Sequence, residues 1–184
     1  MAKLKVAELK KHLKSFDKED LIRLIVQLSK TSKEAQNYLV AEVQGEAAIA
    51  ELYEEAKNKI KNEFFPQKGE PKFRLSEAKK AISNFAKYTD DKLLKTDLML
   101  YYVELGTDFT SAYGDIDGPF YDSLASMFSR VTKACDGDLD MLRNFGDRLE
   151  VVYSNAGHVG WGYKDDLAES YYSIGWPEDE GAKQ

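Results

Sequence analysis

Between Glu46 and Phe64 the chain carries Ile49, Leu52, Tyr53, Ala56, Ile60 and Phe64 at spacings i, i+3, i+4, i+7, i+11 and i+15. That period sets all six on one face of a helix. It cannot serve a strand, whose side chains alternate with period two. A helix with such a face must be covered by other elements, and the rest of the chain offers more helices. Leu21, Leu24, Ile25 and Leu28 form one stripe; Ala35, Tyr38, Leu39 and Val43 form another. Phe120, Leu124, Met127, Phe128, Val131 and Cys135 make a third, followed by Leu139, Leu142, Phe145, Leu149 and Val152. Val151-Val152-Tyr153 is the only β-leaning run, and the last of these stripes absorbs it. The expected fold is all-α: eight or nine amphipathic helices in an antiparallel α-solenoid-like stack or an irregular bundle. No period of fixed length recurs, which weighs against a true repeat array.

Local signals place the ends. Asp17, Thr31 or Ser32, Ser76, Thr89 or Asp90, and Asp138 each stand where a helix needs a side-chain acceptor at its N-cap. Gly45 interrupts one pattern, and Pro66, Gly69 and Pro71 force a loop. The run Leu98 to Val103 is apolar all round, so it predicts a helix covered on most sides. That helix is expected to reach about Leu105, with Gly106 as its stop. Residues 1–174 are expected to form one helical domain, and 175–184 a polar, frayed tail.

Composition narrows the setting. The 184 residues contain one cysteine, Cys135, so no disulfide can form within the chain. A cytoplasmic protein is expected on that ground. The N-terminus is basic but lacks the apolar core of a signal peptide. Leu98 to Val103, the most apolar run, falls far short of the ~20 residues that span a bilayer. The net charge of -6 is unevenly spread: +4 over residues 1–18, zero over 19–99 and -10 over 100–184. So acidic a second half repels phosphate backbones and weighs against nucleic acid as a partner. The lysines of the first helix read most simply as a solvated face.

Two glycine-bearing loops carry the residue types of a site. In Tyr113-Gly114-Asp115-Ile116-Asp117-Gly118, the carboxylates of Asp115 and Asp117 could offer oxygen ligands to a divalent cation. The simpler role for them is turn formation and capping of the helix that begins near Pro119. Asp136-Gly137-Asp138-Leu139-Asp140 begins like a calcium loop. Met141 then stands where glycine is needed and Arg143 where an apolar residue is needed, so the match fails. Gly157 to Gly162 includes His158 and Trp161 and is followed by Tyr163. It lacks the lysine of a phosphate-binding loop and follows a helix, not a strand. Together Tyr113, His158, Trp161 and Tyr163 are the candidate ligand or partner surface. With only His12 besides His158, no paired histidine suggests zinc. Cys135 sits on an apolar face and reads as a small core residue, and no catalytic set emerges.

Several segments resemble a bacterial all-helical family, a domain of unknown function of the 6155 series. They are Phe64-Phe65-Pro66, Arg74 to Ile82, Asp97 to Glu104, Tyr113 to Asp117 and Gly160-Trp161-Gly162. The resemblance runs from about Leu4 to Tyr172. It implies a small stand-alone helical protein, cytoplasmic and bacterial, and implies no activity, no cofactor and no site residues. The expected function is a helical protein-interaction scaffold that binds another protein or a second copy of itself. The alternative is a small-ligand or divalent-metal site where the 113–117 and 158–163 loops meet.

Overall fold

The computed structural model describes residues 4–176, with nine α-helices and no strand among them. They run in the order α1 Val6–Leu13, α2 Lys18–Thr31, α3 Lys33–Gln44, α4 Glu46–Phe64, α5 Leu75–Phe85, α6 Lys92–Tyr113, α7 Gly118–Cys135, α8 Leu139–Asn155 and α9 Tyr163–Tyr172. Five starts are held by side chains. Asp17 accepts from the Asp20 amide, Ser32 from Ala35, Asp91 from Leu94, Asp117 from Phe120 and Asp138 from Met141. Each satisfies one of the amides that a helix start leaves without a partner. Asp91 takes the place expected of Thr89 or Asp90, and α5 begins at Leu75 without the expected Ser76 cap.

Chain contacts divide into two compact units, Met1–Ile49 and Ala50–Gln184, with the boundary inside α4. In the first, α2 packs on α3, and Ala41 is the one buried residue of α1 to α3. The second is an irregular bundle built around α6, which packs against α5, α7 and α8, while α9 packs against α7 and α8. A solenoid stacks each helix only on its neighbours; one helix wrapped from three sides makes a closed core instead. Leu98, Met99, Leu100, Tyr102 and Val103 of α6 are buried, as an all-round apolar run requires. Phe64 from α4 meets Tyr102 and Phe120 edge to face, at 5.6 and 6.3 Å between centroids. The α4–α5 loop is tied back by Glu63. Its buried carboxylate accepts from Arg74 Nη2 at 2.7 Å, from Nε at 3.2 Å and from the Arg74 amide at 3.1 Å.

Gly106 does not end α6. The helix runs through it to Tyr113. A Cβ at Gly106 would lie 2.4 Å from Leu124 Cδ2, so the glycine serves the close crossing of α6 over α7. The tail is held at its start: the Gly175 amide donates to Asp136 at 3.0 Å, and Trp176 packs on Tyr171 at 5.1 Å. The rest of the predicted tail, 177–184, lies outside the described residues.

Burial also fixes a pH response. It pushes the Cys135 thiol up to about 11, with the charge of Asp138 adding to the shift, and pushes the Tyr102 phenol up to about 12. In an unfolded chain these groups titrate near ~8.5 and ~10. Their folded pKa values are raised, so the stability they carry is complete below about pH 8 and is lost as pH climbs through ~8.5 to 12. Urea unfolding at pH 7.5 and 10 is expected to show a lower midpoint at pH 10. Cys135→Ala should flatten that slope; a slope unchanged by the substitution would refute the assignment to Cys135.

Candidate functional site

The two glycine-bearing loops meet. Asp115 Oδ1 accepts from the Gly160 amide at 3.2 Å and from the Tyr121 hydroxyl at 2.9 Å. Tyr121 in turn accepts from the Ile116 amide at 3.3 Å, which closes the 114–117 loop on itself. Gly160 has no room for a side chain, since a Cβ there would stand 2.6 Å from Asp115 Oδ2. Asp117 is engaged separately as the cap of α7. Each aspartate of the candidate cation pair therefore already accepts from protein donors. Among the described residues no group of three or more His, Cys, Asp or Glu is placed to hold a metal.

The four residues of the candidate surface separate. Tyr113 and Trp161 face outward, 67% and 63% exposed. Tyr113 stacks on Phe109 at 4.5 Å and 20° between planes. Trp161, with φ +62°, holds a left-handed backbone and lays its indole 3.4 Å from where a Gly118 Cβ would be. Tyr163 lies in the core, fully buried, its hydroxyl 2.8 Å from Thr107 Oγ1 and its ring 5.2 Å from Tyr121. Burial pushes that phenol well above its ordinary range. A residue so placed is an anchor for the start of α9, not part of an open surface. His158 closes the 3-10 turn Ala156–His158, and its side chain lies outside the described residues.

The Asp115 tie has a measurable worth. Asp115→Ala is expected to cost about 1 kcal/mol, the scale of a partly exposed hydrogen-bond acceptor serving two donors. Asp115→Asn keeps an acceptor oxygen and should cost less than half of that. Equal losses in urea unfolding would show that the charge, not the hydrogen bonds, holds the loops together.

Charged groups cluster elsewhere, at a place without a local motif. Arg148 of α8 reaches Glu104 through Nε at 2.7 Å and Nη2 at 2.8 Å, and Asp97 through Nη1 at 2.5 Å. Tyr53 of α4 donates to the other Asp97 oxygen. Burial and these bonds raise the Tyr53 phenol, while the two carboxylates hold the Arg148 guanidinium firmly charged. The four residues brace α4, α6 and α8 together. Every acceptor is matched by a donor, so the cluster is spent on structure.

DUF6155, a family of unknown function, matches residues 3–173. The chain belongs to that family. No curated protein and no solved structure matches it. In this DUF6155 chain, helix α2 stands apart from the rest. Leu24, Ile22, Val26, Ile25 and Leu28 are 36–50% exposed, and with Leu21 they form one broad apolar face opposite Arg23, Gln27 and Lys30. The apolar face of an amphipathic helix ordinarily packs against a core. Among the described residues no helix is long and apolar enough to cross a membrane.

Proposed function

We propose that this DUF6155 chain is a cytoplasmic protein-interaction module whose binding element is α2. The exposed apolar face of α2 carries the proposal. Monomers rarely leave contiguous apolar patches of this kind open, and such patches mark surfaces that another protein covers. Lysines flank the patch: residues 1–18 carry +4, whereas residues 100–184 carry -10. The covering surface is therefore apolar at its centre and acidic at its rim, and the acidic 100–184 half of a second copy offers charge of the matching sign. Apolar burial would supply the affinity and the charges the orientation. The cytoplasm is supported by the lone, buried Cys135, which needs no oxidising compartment.

The test is Ile22→Glu with Ile25→Glu in the full chain, read by sedimentation and by retention of a partner from native lysate. Both side chains are exposed, so the fold is expected to survive, as far-UV circular dichroism would show. Wild type should self-associate or hold a partner, and the variant should lose that association by about tenfold or more, since burying two charges in an apolar contact is strongly unfavourable. A wild type that is strictly monomeric and retains nothing would refute the proposal.

A further inference from the structure

The bundle of α4 to α9 contains a cavity of about 510 Å³ between α5, α6, α7 and the start of α8. Its floor is apolar: Ile82, Ala86, Met99 and Met141. Its rim is cationic: Lys79, Lys92, Lys95, Arg130 and Lys133. Lys79, Lys92 and Lys95 come from a stretch of zero net charge and Arg130 and Lys133 from an acidic one, so the fold, not the local sequence, gathers this positive charge. Two acids also line the cavity, but both are engaged by backbone amides. Asp136 accepts from Gly175 at 3.0 Å, and Asp138 accepts from Met141 at 3.1 Å. Among the described residues Lys92, Lys95, Arg130 and Lys133 have no ion-pair partner.

The dipoles of the helices account for only part of this. Arg130 and Lys133 lie toward the C-terminal end of α7, where cations are favoured. Lys92 and Lys95 lie in the first turn of α6, at its positive end, where the Asp91 carboxylate caps the helix by accepting from the Leu94 amide. Thr96, 2% exposed, adds a hydroxyl to the cavity wall beside these cations.

We infer that this cavity binds a phosphate monoester of an apolar alcohol, with its phosphate among the rim cations and Thr96 and its apolar body over Ile82, Ala86, Met99 and Met141. A dianionic head answers several cations at once, and arginine and lysine both suit phosphate oxygens. Among the described residues no aromatic ring lines the cavity, which gives a nucleotide base no platform to stack on. The volume lies within the range of small-ligand sites. This site shares no residue with α2 and does not depend on the interaction proposed there.

The probe is octyl phosphate below its micellar concentration, titrated calorimetrically into the full chain. Wild type should bind one equivalent. Lys92→Gln with Lys133→Gln should bind about tenfold more weakly at an unchanged unfolding midpoint, since both lysines are exposed and unpaired. Lys61→Gln with Lys80→Gln removes the same charge away from the cavity and should bind as wild type does. Octyltrimethylammonium should not bind. Absence of binding by wild type, equal binding of the cationic amphiphile, or equal loss in the two double variants would each overturn the inference. Vesicles of phosphatidylcholine with phosphatidic acid separate the sources. Co-sedimentation of wild type but not the cavity variant assigns the phosphate to a membrane lipid; binding of octyl phosphate alone assigns it to a soluble ester.

Discussion

Arg148→Met is expected to destabilise the chain by ~2–4 kcal/mol. Removing one partner of a fully buried ion pair costs about 3–5 kcal/mol, because the charge left behind has no water to replace the partner. Arg148 is about a third exposed, and its partners Asp97 and Glu104 are 19% and 24% exposed, so the figure is reduced for solvent screening. The loss falls on two carboxylates at once, since one guanidinium serves both. Methionine nearly preserves the aliphatic stem while removing the guanidinium, including its place 5.8 Å from the Phe145 ring centroid, so charge is the main thing removed. Equilibrium urea unfolding measures the effect. Adding Asp97→Asn and Glu104→Gln to the variant should recover most of the loss, because neutral amides need no cation. Failure to recover would mean that Arg148 acts through packing and not through its charge.

That network shows where sequence legibility stops. The stripes Ile49 to Phe64 and Phe120 to Cys135 are written in local spacing and hold in the structure because a helix face depends only on its own period, whereas Tyr38 and Val43 of the α3 stripe are exposed, since period alone does not say what covers a face. The caps Asp17, Ser32 and Asp138 are equally local. Arg148, Asp97 and Tyr53 lie dozens of residues apart, and nothing near any of them marks the others. The same holds for Asp115 and Gly160. Both loops stood out by composition, yet their contact follows from how α6, α7 and α9 pack. Between Trp161 and Tyr163, one turns outward and one inward, and an aromatic-rich loop does not say which. The cationic cavity was hidden for a related reason. Its lysines and arginine are scattered over α5, α6 and α7 within stretches whose summed charge is neutral or acidic. The stop expected at Gly106 failed because a glycine is also the residue that lets two helices touch, and only the partner helix distinguishes the roles.

Gly106→Val should therefore be the most damaging single change on α6, costing ~3 kcal/mol or more. A Cβ at this position would approach Leu124 Cδ2 to 2.4 Å, Cδ1 to 2.7 Å and Cγ to 3.1 Å. A leucine at a surface could swing away, but Leu124 is fully buried and has no open space to enter. The helices must part or the leucine must leave its rotamer, and overpacking of this kind typically costs about 1–3 kcal/mol, more for a bulkier graft. Gly106→Ala isolates the first carbon. Its gain in helix propensity, about 1 kcal/mol, offsets part of the clash, so a net loss of ~1–2 kcal/mol is expected. Leu124→Ala alone should cost ~2–5 kcal/mol through the void it leaves. Combined with Gly106→Ala, it removes the group that the new methyl strikes. The double variant should then lose less than the sum of the singles, by ~1–3 kcal/mol. Additive losses in urea unfolding would show that the Gly106–Leu124 approach does not set the crossing of α6 over α7.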